Sequence, residues 1–178
     1  MKSSAANLRQ RLKRVRCLLV DVDGVLTDGR LHLCDDGREF KSFDVHDGHG
    51  IAMAQKAGLL VGFISSRPSA ATECRAKQLG VRILKQAPCP KAELMAEVCK
   101  EHGLQPAEIA YIGDELLDLS AMKRAGCAMA VADAAPEVKK AAHYVTRHQG
   151  GQGAVREVVE LILKARGDWK KLLAAHLL

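Results

Sequence analysis

LLVDVDGVLTDG, residues 18–29, ends an apolar run with two acids, Asp21 and Asp23, one valine apart and directly before Gly24. Two carboxylates this close repel each other, so the pair is costly unless a cation neutralises it. Side chains at positions i and i+2 of a strand point to the same face, so both acids are expected to point the same way. The stretch predicts a buried strand that delivers two carboxylates to one site, with Gly24 allowing a sharp turn.

Short apolar runs alternate with helical patterns along the rest of the chain. The runs cover residues 17–22, 59–64, 81–84, 109–112 and 127–131, and the helical patterns cover residues 50–57, 69–79, 91–102, 116–125, 136–142 and 154–164. This alternation predicts an α/β fold with a mostly parallel sheet that is covered on both faces. Residues 30–43 break the rhythm and are predicted to form a hairpin around Asp35, Asp36 and Gly37.

Polar side chains follow four of the predicted strands at the edge where ligands bind such sheets. They are Asp21 and Asp23 after the first, Ser65, Ser66 and Arg67 after the second, Lys91 after the third, and Asp114 and Asp118 after the fourth. Clustered carboxylates without His or Cys favour Mg²⁺ over zinc, and a lysine and a hydroxyl complete a phosphate cradle. One acid could attack phosphorus while the other moves protons, which indicates phosphoryl transfer.

Composition and charge narrow the class of protein. The 178 residues are 48% hydrophobic and 27% charged, which suits one domain with a sizeable core, and no apolar run could span a bilayer. The net charge of +6 lies on residues 1–16, and the other 21 basic residues balance 21 acids, so we expect no nucleic-acid or membrane partner. The six cysteines form no CxxC pair, so we expect neither zinc nor disulfides, and a cytoplasmic location.

These observations predict three segments: a basic arm or helix over residues 1–16, a single domain over residues 17–166, and a tail over residues 167–178.

The strand-end motifs resemble those of a known superfamily. DVDGVLTDG, ISSR, Lys91 and GDELLD are similar, in order and spacing, to the four motifs of the haloacid dehalogenase superfamily of phosphatases. The resemblance implies a Rossmann-like three-layer sandwich of the haloacid dehalogenase type. It also implies that Asp21 is the nucleophile and Asp23 the general acid/base. Mg²⁺ would be held by Asp21, Asp23 and Asp114, with support from Asp118, and the phosphoryl group by Ser65 and Lys91.

A finer resemblance is to the 3-deoxy-D-manno-octulosonate 8-phosphate phosphatase family of lipopolysaccharide synthesis. It is carried by the hairpin, by FDVHDGHGI (residues 43–51) and by GGQGAVRE (residues 150–157). It implies a small hairpin insertion without a large cap domain, a homotetramer, and a sugar-acid phosphate as substrate. The substrate contacts that it implies are Asp23, Asp44, Val45, His46, Asp47, Gly48, Arg67, Arg75 and Lys91. Glu115, where an aspartate is usual, and QAPCPK before the lysine depart from the family pattern.

Several alternatives stay open at this point. Asp21 and Asp23 could merely end a strand, and Asp114 and Asp118 could be acids favoured by a helix N-terminus. Within the same chemistry, the substrate could be a nonulosonate 9-phosphate, although Arg67 favours the eight-carbon acid. The chain could also be a non-catalytic oligomerisation domain. A signalling receiver fits poorly, because its acidic pair and phosphoacceptor lie on different strands.

Overall fold

Eight strands and eight α-helices make up this computed structural model, which describes residues 2–175, with side chains from residue 6 onward. The strands are β1 (Cys17–Asp21), β2 (His32–Leu33), β3 (Glu39–Phe40), β4 (Leu60–Ser65), β5 (Ile83–Gln86), β6 (Ile109–Gly113), β7 (Cys127–Ala130) and β8 (Tyr144–Val145). The helices are α1 (Lys2–Lys13), α2 (Val45–Lys56), α3 (Ala70–Gln78), α4 (Lys91–His102), α5 (Leu119–Met122), α6 (Pro136–Ala141), α7 (Ala154–Arg166) and α8 (Trp169–Ala174).

Six strands form one parallel sheet in the order β5-β4-β1-β6-β7-β8, and β2 pairs with β3 in a separate antiparallel hairpin. The chain builds outward from β1 to β4 and β5, then returns to add β6, β7 and β8 on the other side. The order therefore reverses between β1 and β6, which is where open sheets of this kind form a ligand crevice. The short edge strand β8 was not predicted, because its two residues carry no periodic signal.

Helices cover the sheet in two layers. Helices α1, α2 and α8 pack against α7, whereas α4 and α6 pack against α5. The strands between them are almost wholly buried, and the largest buried side chains include Tyr111, Phe63 and Leu18. This arrangement confirms the predicted α/β three-layer sandwich with a small hairpin and no large cap. None of the helices within residues 2–175 is long and apolar enough to cross a membrane.

Helix α2 begins five residues earlier than the periodic pattern indicates, at Val45 instead of residue 50. The glycines of the sequence DGHG favour a loop locally, but Asp44 caps the helix by accepting hydrogen bonds from the backbone N–H groups of His46 and Asp47. Gly50 is needed for packing, since a Cβ there would lie 3.1 Å from the Arg156 Cα of α7. The close approach of α2 to α7 therefore overrides the local propensity.

Both ends of the chain are helical where they are described. Leu12 of α1 and Val15 just after it are buried, so the predicted arm or helix of residues 1–16 packs on the domain through its C-terminal part. Helix α8 occupies part of the predicted tail, and residues 176–178 of that tail lie outside the described residues. The predicted helix over residues 116–125 is a 3-10 turn, Leu116–Asp118, followed by the single turn of α5.

Candidate active site

The carboxyl end of β1 places Asp21 at the floor of a cleft. Four buried apolar residues precede it in the strand, and Asp21 itself is only 4% exposed. Lys91 Nζ lies 2.8 Å from Asp21 Oδ1. Burial, and then the charge of Asp118, raise the pKa of Asp21 to about 6, against the opposing effect of Lys91. The carboxylate is therefore mainly ionised at neutral pH, as a nucleophile must be.

Asp23 lies beyond the strand, in a tight turn over Val22–Leu26. Asp21 and Asp23 both line one cleft, as expected, but strand alternation is not the reason, because β1 ends at Asp21 and the backbone then winds into the turn. Gly24 has a φ of 89°, and a Cβ there would overlap the Asp114 carboxylate. The turn, and not the pleat, therefore directs Asp23 toward the cleft, and only glycine fits at its centre.

Asp114 follows β6 and completes a cluster of carboxylates. One oxygen from each of Asp21, Asp114 and Asp118 can be chosen so that all three lie within 4.8 Å of one another. Burial, followed by the charges of Asp21 and Asp118, raises the pKa of Asp114 to about 8. Its Oδ1 is buried and has no hydrogen-bond partner among the residues that the structure describes. A hard cation with oxygen ligands would satisfy this atom and neutralise the cluster, so the residues fit Mg²⁺.

Asp118 is fully buried and joins the start of α4 to β6 and the loop after β6. Its Oδ1 accepts hydrogen bonds from Lys91 Nζ at 2.6 Å and from the Tyr111 hydroxyl at 2.7 Å. Its Oδ2 accepts from the backbone N–H groups of Asp114, at 2.9 Å, and Glu115, at 3.0 Å. Sequence reasoning missed Tyr111, although a tyrosine in a buried aliphatic strand signals a hydroxyl that needs a partner.

Lys91 opens α4 and is 3% exposed, with its ammonium between Asp21 and Asp118. Burial lowers the pKa of Lys91, but the charges of Asp21 and then Asp118 outweigh it, and the net pKa is raised. The lysine therefore stays charged at neutral pH. Two of its three N–H donors are engaged by the carboxylates, which leaves one for a ligand.

The cleft itself has a volume of about 240 Å³. Its lining residues are Asp21, Asp23, Gly29, Ser65, Ser66, Arg67, Lys91, Asp114, Glu115 and Leu117. The Ser65 hydroxyl closes a local turn, donating to the Arg67 carbonyl at 3.0 Å and accepting from the Arg67 N–H at 3.1 Å. The tertiary structure thus brings together the predicted groups from four strand ends.

Asp47, Gly48 and Arg75, which the resemblance assigns to substrate binding, do not line this cleft. Asp47 is buried and accepts hydrogen bonds from the backbone N–H groups of Arg156, at 2.7 Å, and Gly153, at 3.3 Å. Arg75 lies against Gly48, donates to the Asp44 carbonyl at 3.3 Å and stacks over Phe43. Within the chain these three residues hold α2 in place, and their substrate contacts stay a prediction.

Asp44, Val45 and His46 also lie outside the cleft. Asp44 and His46 line a separate groove of about 470 Å³, together with Arg147, His148 and residues of α7. Val45 is 76% exposed, and the His46 side chain is 78% exposed. These side chains are therefore open to contacts from another molecule.

The strand that returns from the hairpin contributes charged groups that sequence reasoning missed. Lys41 Nζ lies 2.5 Å from Asp23 Oδ1, and its side chain is only 2% exposed. Glu39 Oε2 accepts a hydrogen bond from Arg67 at 2.5 Å, and Glu39 Oε1 accepts one from the Ser69 hydroxyl. The available signal was the spacing of Glu39 and Lys41, which places them on one face of an extended segment.

Comparison with known proteins places this site in a family. The 3-deoxy-D-manno-octulosonate 8-phosphate phosphatase of Yersinia pestis is 42% identical over 162 residues, which cover 91% of this chain and 87% of that one. The chain belongs to the 3-deoxy-D-manno-octulosonate 8-phosphate phosphatase family. A profile of haloacid dehalogenase-like hydrolases also matches residues 83–158 of this family member.

Solved structures of family members superpose closely. The Moraxella catarrhalis phosphatase, crystallised with magnesium, phosphate and the sugar acid KDO, has a TM-score of 0.93 at 36% identity, covering 95% of this chain and 97% of that one. The cobalt-bound phosphatase of Haemophilus influenzae has a TM-score of 0.86 at 39% identity, covering 89% and 92% of the two chains. Both relatives hold a divalent cation, for which the carboxylates of this cleft supply suitable ligands.

Proposed function

We propose that this chain is a Mg²⁺-dependent phosphatase that hydrolyses 3-deoxy-D-manno-octulosonate 8-phosphate to the free sugar acid, KDO, and phosphate, a step of lipopolysaccharide biosynthesis. The observation that carries the proposal is the convergence of Asp21, Lys91 and Asp114 in one cleft of a chain from this family. A non-catalytic oligomerisation domain is not favoured, since such a role requires neither a buried nucleophile nor a paired lysine.

Asp21, Asp114 and the backbone carbonyl of Asp23 would hold the Mg²⁺ ion, with Asp118 fixing the loop that carries Asp114. The ion would neutralise negative charge on the phosphoryl oxygens. The donor set consists of oxygen atoms, and Asp114 Oδ1 is a buried acceptor that needs a partner. This fit to a hard cation supports the assignment.

The residues of the cleft supply a two-step displacement. An Asp21 carboxylate oxygen attacks phosphorus, the bond from phosphorus to the sugar oxygen breaks, and Asp23 donates a proton to that oxygen. Asp23 then takes a proton from water as the water oxygen attacks the aspartyl-phosphate, which releases phosphate and restores Asp21. Lys91 donates its remaining N–H to a phosphoryl oxygen, and Ser65 does so after its hydroxyl rotates away from Arg67.

Arg67 is the cleft residue best suited to the carboxylate of the sugar acid. Its side chain is 39% exposed at the mouth of the cleft, and a guanidinium can bind a carboxylate through two parallel hydrogen bonds. Both candidate substrates carry a carboxylate, so the preference for the eight-carbon acid rests on the family resemblance, in which nonulosonate phosphatases tend to have an acid at the position of Arg67. We assign the remaining contacts to Asp44, Val45, His46, Asp47, Gly48 and Arg75, as the family resemblance implies.

We also propose that the enzyme is a homotetramer in the cytoplasm. The hairpin presents Leu31, Leu33 and Phe40 to solvent, and large apolar side chains exposed together in one small element favour association with other copies. All six cysteines are free, which suits a reducing compartment.

The test is phosphate release from 3-deoxy-D-manno-octulosonate 8-phosphate, with Mg²⁺ and with EDTA, beside a panel of sugar phosphates that includes a nonulosonate 9-phosphate. We expect metal-dependent release with a strong preference for the eight-carbon acid. A preference for the nine-carbon phosphate would overturn the substrate, and no release from any ester would overturn the activity.

A further inference from the structure

The hairpin places a buried cation on the side chain that is proposed to move protons. Lys41 directly follows β3, and its side chain is buried, with only 2% of its surface exposed. Its ammonium lies 2.5 Å from Asp23 Oδ1 and 3.9 Å from Glu39 Oε1. A buried ammonium is stable only when it is paired, so this lysine is committed to Asp23 and Glu39.

Arg67 closes the same network from the other side. Its guanidinium lies 2.5 Å from Glu39 Oε2, and 3.4 and 3.5 Å from the two Asp23 carboxylate oxygens. Two basic side chains and two carboxyl groups therefore form one network that spans the hairpin and the loop after β4. Glu39 is itself held by the Ser69 hydroxyl at the start of α3, so the network is tied to the body of the domain.

Contacts from outside its own turn hold the Asp23 carboxyl group. It sits in a turn, beside Gly24, with 27% of its side chain exposed. A carboxyl group that serves a leaving oxygen must be held in position, since a misplacement of about 1 Å can cost roughly 100-fold in rate. Lys41 binds Oδ1 at 2.5 Å, whereas Oδ2 has a longer contact of 3.5 Å to Arg67, so Oδ2 is the oxygen more available to the reacting atoms.

We propose that Lys41 is a positioning residue of the reaction: it fixes the Asp23 carboxyl group for protonation of the leaving oxygen. The proposal rests on the proposed function, in which Asp23 is the acid. It gives the hairpin a part in the chemistry within one chain. It also predicts that the loss of rate on substitution of Lys41 increases with the need of the leaving oxygen for a proton.

The test compares kcat/KM, which reports the departure of the leaving group, on two esters without a carboxylate. Nitrophenolate leaves readily without a proton, whereas the oxygen of phenyl phosphate needs more assistance. For Lys41→Met we expect a loss of about 3-fold on 4-nitrophenyl phosphate and about 30-fold or more on phenyl phosphate. Lys41→Arg, which keeps the charge, should recover part of the loss on phenyl phosphate.

Lys85→Met is the matched control, because Lys85 is also paired with two carboxylates, Glu97 and Glu101, but does not line the cleft. It should lose less than about 2-fold on both esters, as expected of an exposed ion pair. The 4-nitrophenyl activity that Lys41→Met retains shows that the variant has folded.

Equal losses on both aryl esters would overturn the proposal, since a structural defect does not distinguish leaving groups. A loss confined to 3-deoxy-D-manno-octulosonate 8-phosphate would also overturn it, because Lys41 would then recognise the sugar acid. If the unaltered enzyme shows no preference for that sugar phosphate but the aryl-ester pattern holds, the proposed substrate fails and the role of Lys41 stands.

Discussion

Among the carboxyl groups of the site, Asp114 has the pKa that is raised most clearly above its ordinary value. Burial, Asp21 and Asp118 together raise its pKa to about 8, so without a cation it is largely protonated at neutral pH. A metal ligand must be deprotonated, so binding of a cation releases this proton. Because several carboxyl groups are buried close together, Asp114 resists ionisation, and for the same reason the site favours a bound cation.

Magnesium affinity should therefore rise with pH. Below a pKa of about 8 the proton on Asp114 competes with the ion, so we expect the apparent Kd to be about 50-fold weaker at pH 6 than at pH 8. Titration calorimetry in buffers of different ionisation enthalpy measures both the affinity and the proton release. Asp114→Asn, which has no proton to lose, should bind more weakly and with a flatter pH dependence, whereas a steep dependence in that variant would assign the proton elsewhere.

Asp21→Asn should abolish turnover and keep the fold. The amide has the shape of the carboxylate but cannot attack phosphorus, so we expect a fall in kcat of about 1,000-fold or more. Burial opposes ionisation of Asp21, so removing its charge should not unfold the protein. Phosphate release measures the first effect and circular dichroism the second. Substantial residual activity would show that another group is the nucleophile.

At the scale of elements, the start of α7 is held by Glu157. This carboxylate accepts hydrogen bonds from the Tyr144 hydroxyl at 2.6 Å and from the Arg147 N–H at 3.0 Å, and lies 2.8 Å from His148 Nδ1. Burial alone would raise the pKa of Glu157, but these bonds outweigh it and lower the pKa to about 2. The segment that leads into α7 packs Gly150 and Gly151 against the backbone of Gly24 and Thr27 in the turn after β1, so the position of α7 is coupled to this turn of the site.

Glu157→Gln should cost stability in a defined pH range. The folded-state pKa of about 2 lies below the ordinary value of 4.5, so ionised Glu157 stabilises the fold fully above pH 4.5, and this contribution is lost as the pH falls toward 2. We expect a loss of about 2 kcal/mol in the free energy of unfolding at pH 7. Denaturant melts from pH 7 down to pH 3 should show the gap between the two proteins narrowing, and a gap independent of pH would assign the loss to packing.

Deleting residues 1–16 should lower stability with little effect on turnover. The deleted segment buries Leu12 of α1 and Val15 against the domain, so we expect a loss of about 3–5 kcal/mol in unfolding free energy. No residue of α1 lines the cleft, so kcat at 25 °C should change less than about 2-fold. Thermal melts and phosphate release separate the two effects. A large fall in kcat of the folded deletion protein would give this helix a functional role.

At the scale of the whole molecule, the hairpin has two faces. Glu39 and Lys41 point toward the cleft, while Phe40 between them is 54% exposed and stacks on His32. Leu33, which pairs with Glu39 and so shares its face of the hairpin, is 68% exposed. An isolated two-stranded hairpin is only marginally stable in water, so these exposed apolar side chains are expected to be covered by other copies of the chain.

A Leu33→Asp, Phe40→Asp double variant should therefore dissociate the proposed homotetramer, because two carboxylates cannot be buried unpaired in an apolar interface. Light scattering after size exclusion measures the mass, which we expect to fall from that of four chains. Arg38→Ala on the same hairpin is the control and should keep the mass, since the Arg38 side chain pairs with Asp36 of its own turn and adds no apolar area. A monomeric unaltered protein would contradict the tetramer.

The sequence by itself determined the fold class and the acidic residues at the strand ends, because both follow from the local order of apolar and polar residues. Buried strands of a parallel sheet appear as short apolar runs, and the polar residue after each run is carried to the same edge. Tertiary structure decided what lies around those residues. Tyr111 meets Asp118 across a turn, the Gly24 turn re-aims Asp23, and Lys41 reaches Asp23 only because the hairpin folds back over the cleft. Such contacts depend on how segments that are distant in the sequence pack together, so the periodicity of a single segment does not predict them.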